Sequence, residues 1–127
     1  MVSALNTNPL RKRAKKGFRG YPIATIAYYG ADDTTASKVA VGIVLSKGEE
    51  PAYMQKWFSD SCDLRSDRSV ILEMSEFIKG HNALSVVLAD RIIGCPHEEG
   101  VDYSEGEECP LCPFWHGRDR FSGERIQ

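Results

Sequence analysis

Between Pro22 and Ala89 the apolar residues fall into four short runs and one helical stripe. Pro22-Ile-Ala-Thr-Ile-Ala-Tyr-Tyr29 carries β-branched and aromatic residues at both odd and even positions. A strand apolar on both faces suits the interior of a sheet. Gly30-Ala-Asp-Asp-Thr-Thr35 reads as a turn, and Lys38-Val-Ala-Val-Gly-Ile-Val-Leu45 as a second strand of the same kind. After the turn Lys47-Gly-Glu-Glu-Pro51, the run Ala52 to Phe58 alternates, with Tyr53, Gln55 and Trp57 set against Met54, Lys56 and Phe58. Its mixed polarity predicts an edge strand, with a short helix as the alternative. Val70, Ile71, Met74, Phe77 and Ile78 then recur at helical spacing and predict one apolar stripe. Ser66 or Asp67 can cap that helix, and Gly80 sits where a helix C-terminus prefers glycine. Leu84-Ser-Val-Val-Leu-Ala89 predicts a short buried strand that runs out between Asp90 and Gly94.

The predicted fold class is therefore α+β, a mixed sheet of about four strands. A three-strand meander is followed by a helix and a fourth strand, the crossover right-handed. This element order, over about residues 22–90, resembles the core of ribonuclease H-like domains in topology only; no sequence motif carries the resemblance. A nuclease of that type implies clustered carboxylates on the strands for two metals. The first strand has no acid between Pro22 and Tyr29, Asp32 and Asp33 fall in the turn after it, and Asp90 ends the last strand. A nuclease is thus not the leading expectation.

Both flanks differ from the core. Residues 1–20 lack apolar periodicity and hold Arg11, Lys12, Arg13, Lys15, Lys16 and Arg19 with no acid, which predicts a flexible basic arm. From Cys95 onward no periodic element is visible, and so long a segment needs another source of order. The expected division is an arm over residues 1–20, a core over 21–94, and a lobe and tail over 95–127 packed on the core as one domain. Phe114, Trp115 and Phe121 are the residues expected to dock the lobe.

Composition adds three constraints. At 42% hydrophobic and 27% charged the 127-residue chain is ordinary for one globular domain. No apolar run approaches the roughly 20 residues of a membrane span, and the N-terminus lacks the apolar core of a secretory signal. A cytoplasmic protein is expected, in which clustered cysteines read as metal ligands before disulfides. The net charge of −2 conceals an asymmetry: beyond residue 20 ten cations face 18 acids, a net of −8. The arm's six cations suit phosphates of nucleic acid, or an acidic protein surface, or the chain's own acidic body.

The densest chemistry lies in Cys95-Pro-His97 and Cys109-Pro-Leu-Cys112, separated by eleven residues. Paired ligands on tight turns supply two corners each of a Zn²⁺ tetrahedron. Pro96, Pro110 and Pro113 restrict the backbone around them. Cys95, His97, Cys109 and Cys112 would close the shell as a structural site, with His116 as a spare donor in place of His97. Cys62 stands apart as a structural thiol, and His81 suits a helix C-terminus better than a metal. His97-Glu-Glu99 with Cys109-Pro-Leu-Cys112 resembles part of the zinc deaminase signature, which implies Glu99 as proton shuttle and a zinc-bound water. The chain departs from it: Glu108 precedes the cysteine pair where the signature has proline, the gap leaves no room for separate helices, and Cys95 supplies a fourth ligand. A redox role for Cys109 and Cys112 needs a lowered thiol pKa, whereas Glu98, Glu99, Asp102, Glu105, Glu107 and Glu108 push the other way. The leading expectation is a small zinc-binding, non-enzymatic binding or adaptor protein whose basic arm contacts nucleic acid or an acidic partner. The alternative is a zinc-dependent hydrolase or deaminase using His97, Glu99, Cys109 and Cys112.

Overall fold

The computed structural model describes residues 9–98, 100–107 and 109–115. Strand β1 (Ile23–Tyr29) lies inside a four-stranded sheet, antiparallel to β2 (Lys38–Val44) and parallel to β4 (Ser85–Ile92). β3 (Tyr53–Phe58) pairs with β2 alone, which gives the order β3-β2-β1-β4. The α+β meander, helix and returning strand thus form as the apolar pattern predicts, and Tyr53–Phe58 is an edge strand, not a helix. Among the described residues no helix is long and apolar enough to cross a membrane.

One face of the sheet carries the core. Ala24, Ile26 and Tyr28 alternate inward along β1, beside Val39, Val41 and Ile43 of β2. They meet Val70, Ile71, Met74 and Ile78 on one stripe of helix α2 (Arg68–Gly80). Trp57, the one buried residue of β3, makes an edge contact with Phe77 of α2 at 6.3 Å between ring centroids.

Asp67 is the residue that caps α2, its Oδ1 accepting from the Val70 amide at 3.2 Å. The other end departs from expectation. Gly80 is the last helical residue, His81 is the cap, and Asn82 takes the left-handed conformation at φ 57°. The His81 ring lies between Phe77 and Tyr53, at 4.7 and 4.4 Å. A Cβ on Gly80 would meet nothing within 4 Å. Gly80→Ala should therefore raise stability by about 0.5–1 kcal/mol, since alanine restricts the unfolded chain and fits a helix better. A chemical denaturation midpoint that fails to rise would contradict this.

The expected flexible arm is corrected over its second half. Pro9–Lys15 forms helix α1, with Leu10 1% exposed inside the core cluster and Ala14 packed against it. Proline fits the first helical turn, and the (i, i+4) pair of Leu10 and Ala14 supplies the single apolar stripe that so short a helix needs. Arg13 Nη2 donates to the Ala83 carbonyl at 2.7 Å. The Arg19 amide donates to Ser85 Oγ, which donates in turn to the Gly20 carbonyl, both at 2.7 Å. Residues 1–8 of the expected arm lie outside the described residues.

Candidate metal centre

β4 delivers the first ligand. Its register with β1 jumps from Ile26↔Leu88 to Tyr28↔Ile92, and pairing continues through Ile93 N to Tyr28 O and Gly30 N to Gly94 O, both 2.9 Å. Cys95 follows directly, so its backbone is anchored by the sheet. The next turn folds on itself: the Glu98 amide donates to Asp102 Oδ2 at 2.7 Å, and the Asp102 amide returns to the Glu98 carbonyl at 2.8 Å. Gly100 and Gly106, at φ 81° and 87°, take the left-handed conformations that bring the loop back. The second ligand pair sits on a turn closed by Cys112 N to Cys109 O. A one-turn 3-10 helix, Pro113–Trp115, follows it. Trp115 locks this end to the sheet, its buried Nε1 donating to the Gly30 carbonyl at 2.8 Å.

These turns bring together the four residues the spacing singled out. Donor atoms of Cys95, His97, Cys109 and Cys112 all lie within 4.8 Å of one another and are positioned to hold a metal ion. His97 Nδ1 faces all three sulfurs, at 3.7 Å from Cys95 and 3.4 Å from Cys109 and Cys112. The His97 amide also donates to Cys95 Sγ at 3.3 Å. The thiols are 2, 4 and 1% exposed and belong to the same core cluster as Val39 and Ile92. No disulfide joins them.

Without a cation the Cys112 and Cys95 thiols resist ionisation. Burial pushes the Cys112 thiol up to about 12, with the neighbouring Cys95 and Cys109 sulfurs adding to it. Burial likewise raises Cys95, partly offset by the His97 amide. Three buried sulfurs around one imidazole make poor nucleophiles but a good ligand set, because a bound cation reverses the penalty on thiolate.

Lys38 is the residue that the sequence reading missed. It begins β2, is 5% exposed, and donates from Nζ to the Pro96 carbonyl at 3.0 Å and to Glu98 Oε1 at 3.3 Å. Its ammonium also lies over the Tyr29 and Phe58 rings, at 5.3 and 5.8 Å from their centroids. Lys56 pairs with the same Glu98 carboxylate, and the two lysines, Lys56 first, hold that carboxyl below the usual carboxylate range. Lys38 thus ties the sheet to the peptide between the first two ligands. Lys38→Met should cost about 1–3 kcal/mol, because the Pro96 carbonyl loses its donor while Glu98 keeps Lys56. A thermal melt against the unaltered protein checks it, and an unchanged midpoint would show that water replaces the ammonium.

Other expected residues lie elsewhere. Cys62 is exposed, its Sγ 3.5 Å from Asp67 Oδ2 at the start of α2, and so is not part of the core. His81 is in the α2 cap, away from the ligands. Glu99, His116 and Phe121 lie outside the described residues, as do three C-terminal cations of the sequence, Arg118, Arg120 and Arg125. Of the basic residues, Lys12, Lys15, Lys16 and Arg19 are exposed on α1 and the segment after it, whereas Arg11 and Arg13 are half-buried. The chain matches no family model, no curated protein and no solved structure at a significant level.

Proposed function

We propose that this is a non-enzymatic binding module whose C-terminal lobe is stapled by a structural Zn²⁺ and whose basic segment, Arg11 to Arg19, contacts nucleic acid. The observation that carries the zinc reading is the set of His97 Nδ1 distances. Tetrahedral zinc, with bonds of about 2.3 Å to sulfur and about 2.0–2.1 Å to nitrogen, requires sulfur–nitrogen edges of about 3.6 Å. The three edges here are 3.7, 3.4 and 3.4 Å. Four protein donors fill the shell, which favours a structural over a catalytic site. Hydrolase or deaminase chemistry needs an open position for water, and Cys95 stands where that water would bind. A cleft of about 280 Å³ does border Cys95 and His97, but the ammonium groups of Lys38 and Lys56 that line it are already engaged by Glu98. Three buried cysteines that no disulfide joins suit a reducing, cytoplasmic setting.

The test is elemental analysis of protein purified without chelator, with the cobalt-substituted form examined by absorption spectroscopy. About one zinc per chain and a tetrahedral three-sulfur, one-nitrogen cobalt spectrum are expected. Metal-free protein that is fully folded would overturn the reading. A water ligand in place of the Cys95 thiolate would transfer support to the enzyme alternative.

A further inference from the structure

The segment that follows α1 is bonded to Ser85 at the start of β4 and helps to line two clefts. One, of about 360 Å³, is lined by Arg13, Lys16, Arg19 and Leu84. The other, of about 240 Å³, is mainly apolar and is lined by Ala14, Phe18, Val87 and Leu88 among others. Phe18 is 67% exposed between them in sequence, although a phenylalanine in contact with a core would normally be covered. Its ring meets Tyr21 at 5.4 Å with 70° between the planes, an edge contact that covers at most one face of the Phe18 ring. Val87 in the apolar cleft and Leu84 in the basic one are 56% and 54% exposed, so each cleft keeps an uncovered apolar side chain.

We infer that this surface is a binding site for single-stranded nucleic acid, with phosphate in the basic cleft and a base stacked on Phe18. The inference rests on the reading of the basic segment as a nucleic-acid contact and assigns the form of the ligand. Among the described residues Lys16 and Arg19 make no ion pair, so their charge is directed at solvent. The backbone that carries them is held by Arg13 to Ala83 and Arg19 to Ser85, which places the cations in advance. An exposed aromatic ring beside ordered cations fits alternating base and phosphate, and it stacks any base without reading sequence. A duplex satisfies only half of the surface, because its bases are already stacked on one another. Helix α1 is not a groove reader either: it has 7 residues, with Leu10 in the core and Arg13 bonded to Ala83. An acidic protein would use the cations and leave the ring and the apolar cleft without a role.

The experiment measures binding of the full chain to a labelled oligouridine strand, to the same strand annealed to its complement, and to polyglutamate. Phe18→Ala, Phe18→Trp and the pair Lys16→Glu with Arg19→Glu are compared with the unaltered protein, each first shown to be folded by circular dichroism. The single strand should bind more tightly than the duplex. Phe18→Ala should weaken single-strand binding roughly 5- to 150-fold, the range for one lost stacking partner, and leave duplex binding unchanged. Phe18→Trp should keep the affinity, with an indole emission that the strand quenches. The double charge reversal should weaken both nucleic acids. Equal binding of strand and duplex, untouched by Phe18→Ala, overturns the single-strand site while the basic segment's contact with nucleic acid stands. Binding of polyglutamate alone overturns both.

Discussion

Cys109→Ser should abolish hydrogen-exchange protection across residues 95–115 while the amides of β1, β2 and α2 stay protected. The lobe has few apolar residues of its own: Trp115 is buried, and Tyr103 and Phe114 are only partly covered. Zinc supplies about 10–16 kcal/mol to small structural sites, as much as the whole stability of a typical domain. Removing one ligand leaves the remaining groups too few to hold the loop. The sheet core persists because Ile26, Val39, Val41, Met74 and Ile78 pack on one another and not through the lobe alone. It does not persist unchanged, since Trp115 leaves with the loop and the Gly30 carbonyl loses its donor. A global loss of about 3–5 kcal/mol is expected from that withdrawal. Retained protection over 95–115 in the variant would show that packing, not metal, orders the lobe.

The direction of pH dependence gives an independent check on the same site. In metal-free protein the folded-state pKa of Cys112 lies at about 12, above its ordinary value of 9.0. A pKa raised by folding contributes stability that is complete below about 9 and is lost as pH rises toward about 12. The metal-bound protein has the opposite sign, because protons compete with the metal for thiolate and stability falls as pH falls. Melts across pH with and without chelator should therefore converge at low pH, where protons release the metal, and diverge as pH rises. Coincident curves would mean that no metal is held by these thiols.

The parts of this structure visible in the sequence are those whose cause is local. The runs of Val, Ile and Ala in β1 and β2 reveal themselves because interior strands are apolar on both faces. The α2 stripe and its Asp67 cap need only neighbours within one or two turns. The two ligand pairs are likewise local, and the chain between them merely closes a loop. What the sequence hid depends on distant partners. Helix α1 exists because Leu10 finds the core and Arg13 finds the carbonyl of Ala83, 70 residues away. Its basic residues suppress any periodic signal, and only Pro9 and the Leu10–Ala14 spacing hint at it. Lys38 looked like the polar start of a strand, yet its ammonium is buried by a loop 58 residues further on. Gly80 suggested a left-handed cap by position, but Asn82 tolerates that conformation and allowed the helix to run further.

Reversing the four exposed charges, Lys12→Glu, Lys15→Glu, Lys16→Glu and Arg19→Glu, should remove nucleic-acid binding altogether. Truncating residues 1–20 is a poorer test, because it also takes Leu10 out of the core. The four substitutions leave Leu10, Ala14 and the Arg13 bond in place, so α1 should survive them. Their effect follows from the charge distribution. Residues beyond 20 carry a net of −8 and repel phosphate, leaving the basic segment as the attractive element. If all four exposed cations meet phosphates, the log–log slope of affinity against salt on a single strand should be roughly −0.7 for each, about −2.8 in total. Raising salt from about 50 to about 200 mM should then weaken binding roughly fiftyfold. Little sequence preference is expected, since phosphate contacts position a chain without reading it. A salt titration of the unaltered and reversed proteins decides the matter. A slope near zero would mean that the contact is not made to phosphate. Undiminished binding by the reversed protein would make the segment a bystander and move the site to the cations beyond Trp115, Arg118 and Arg120 first among them.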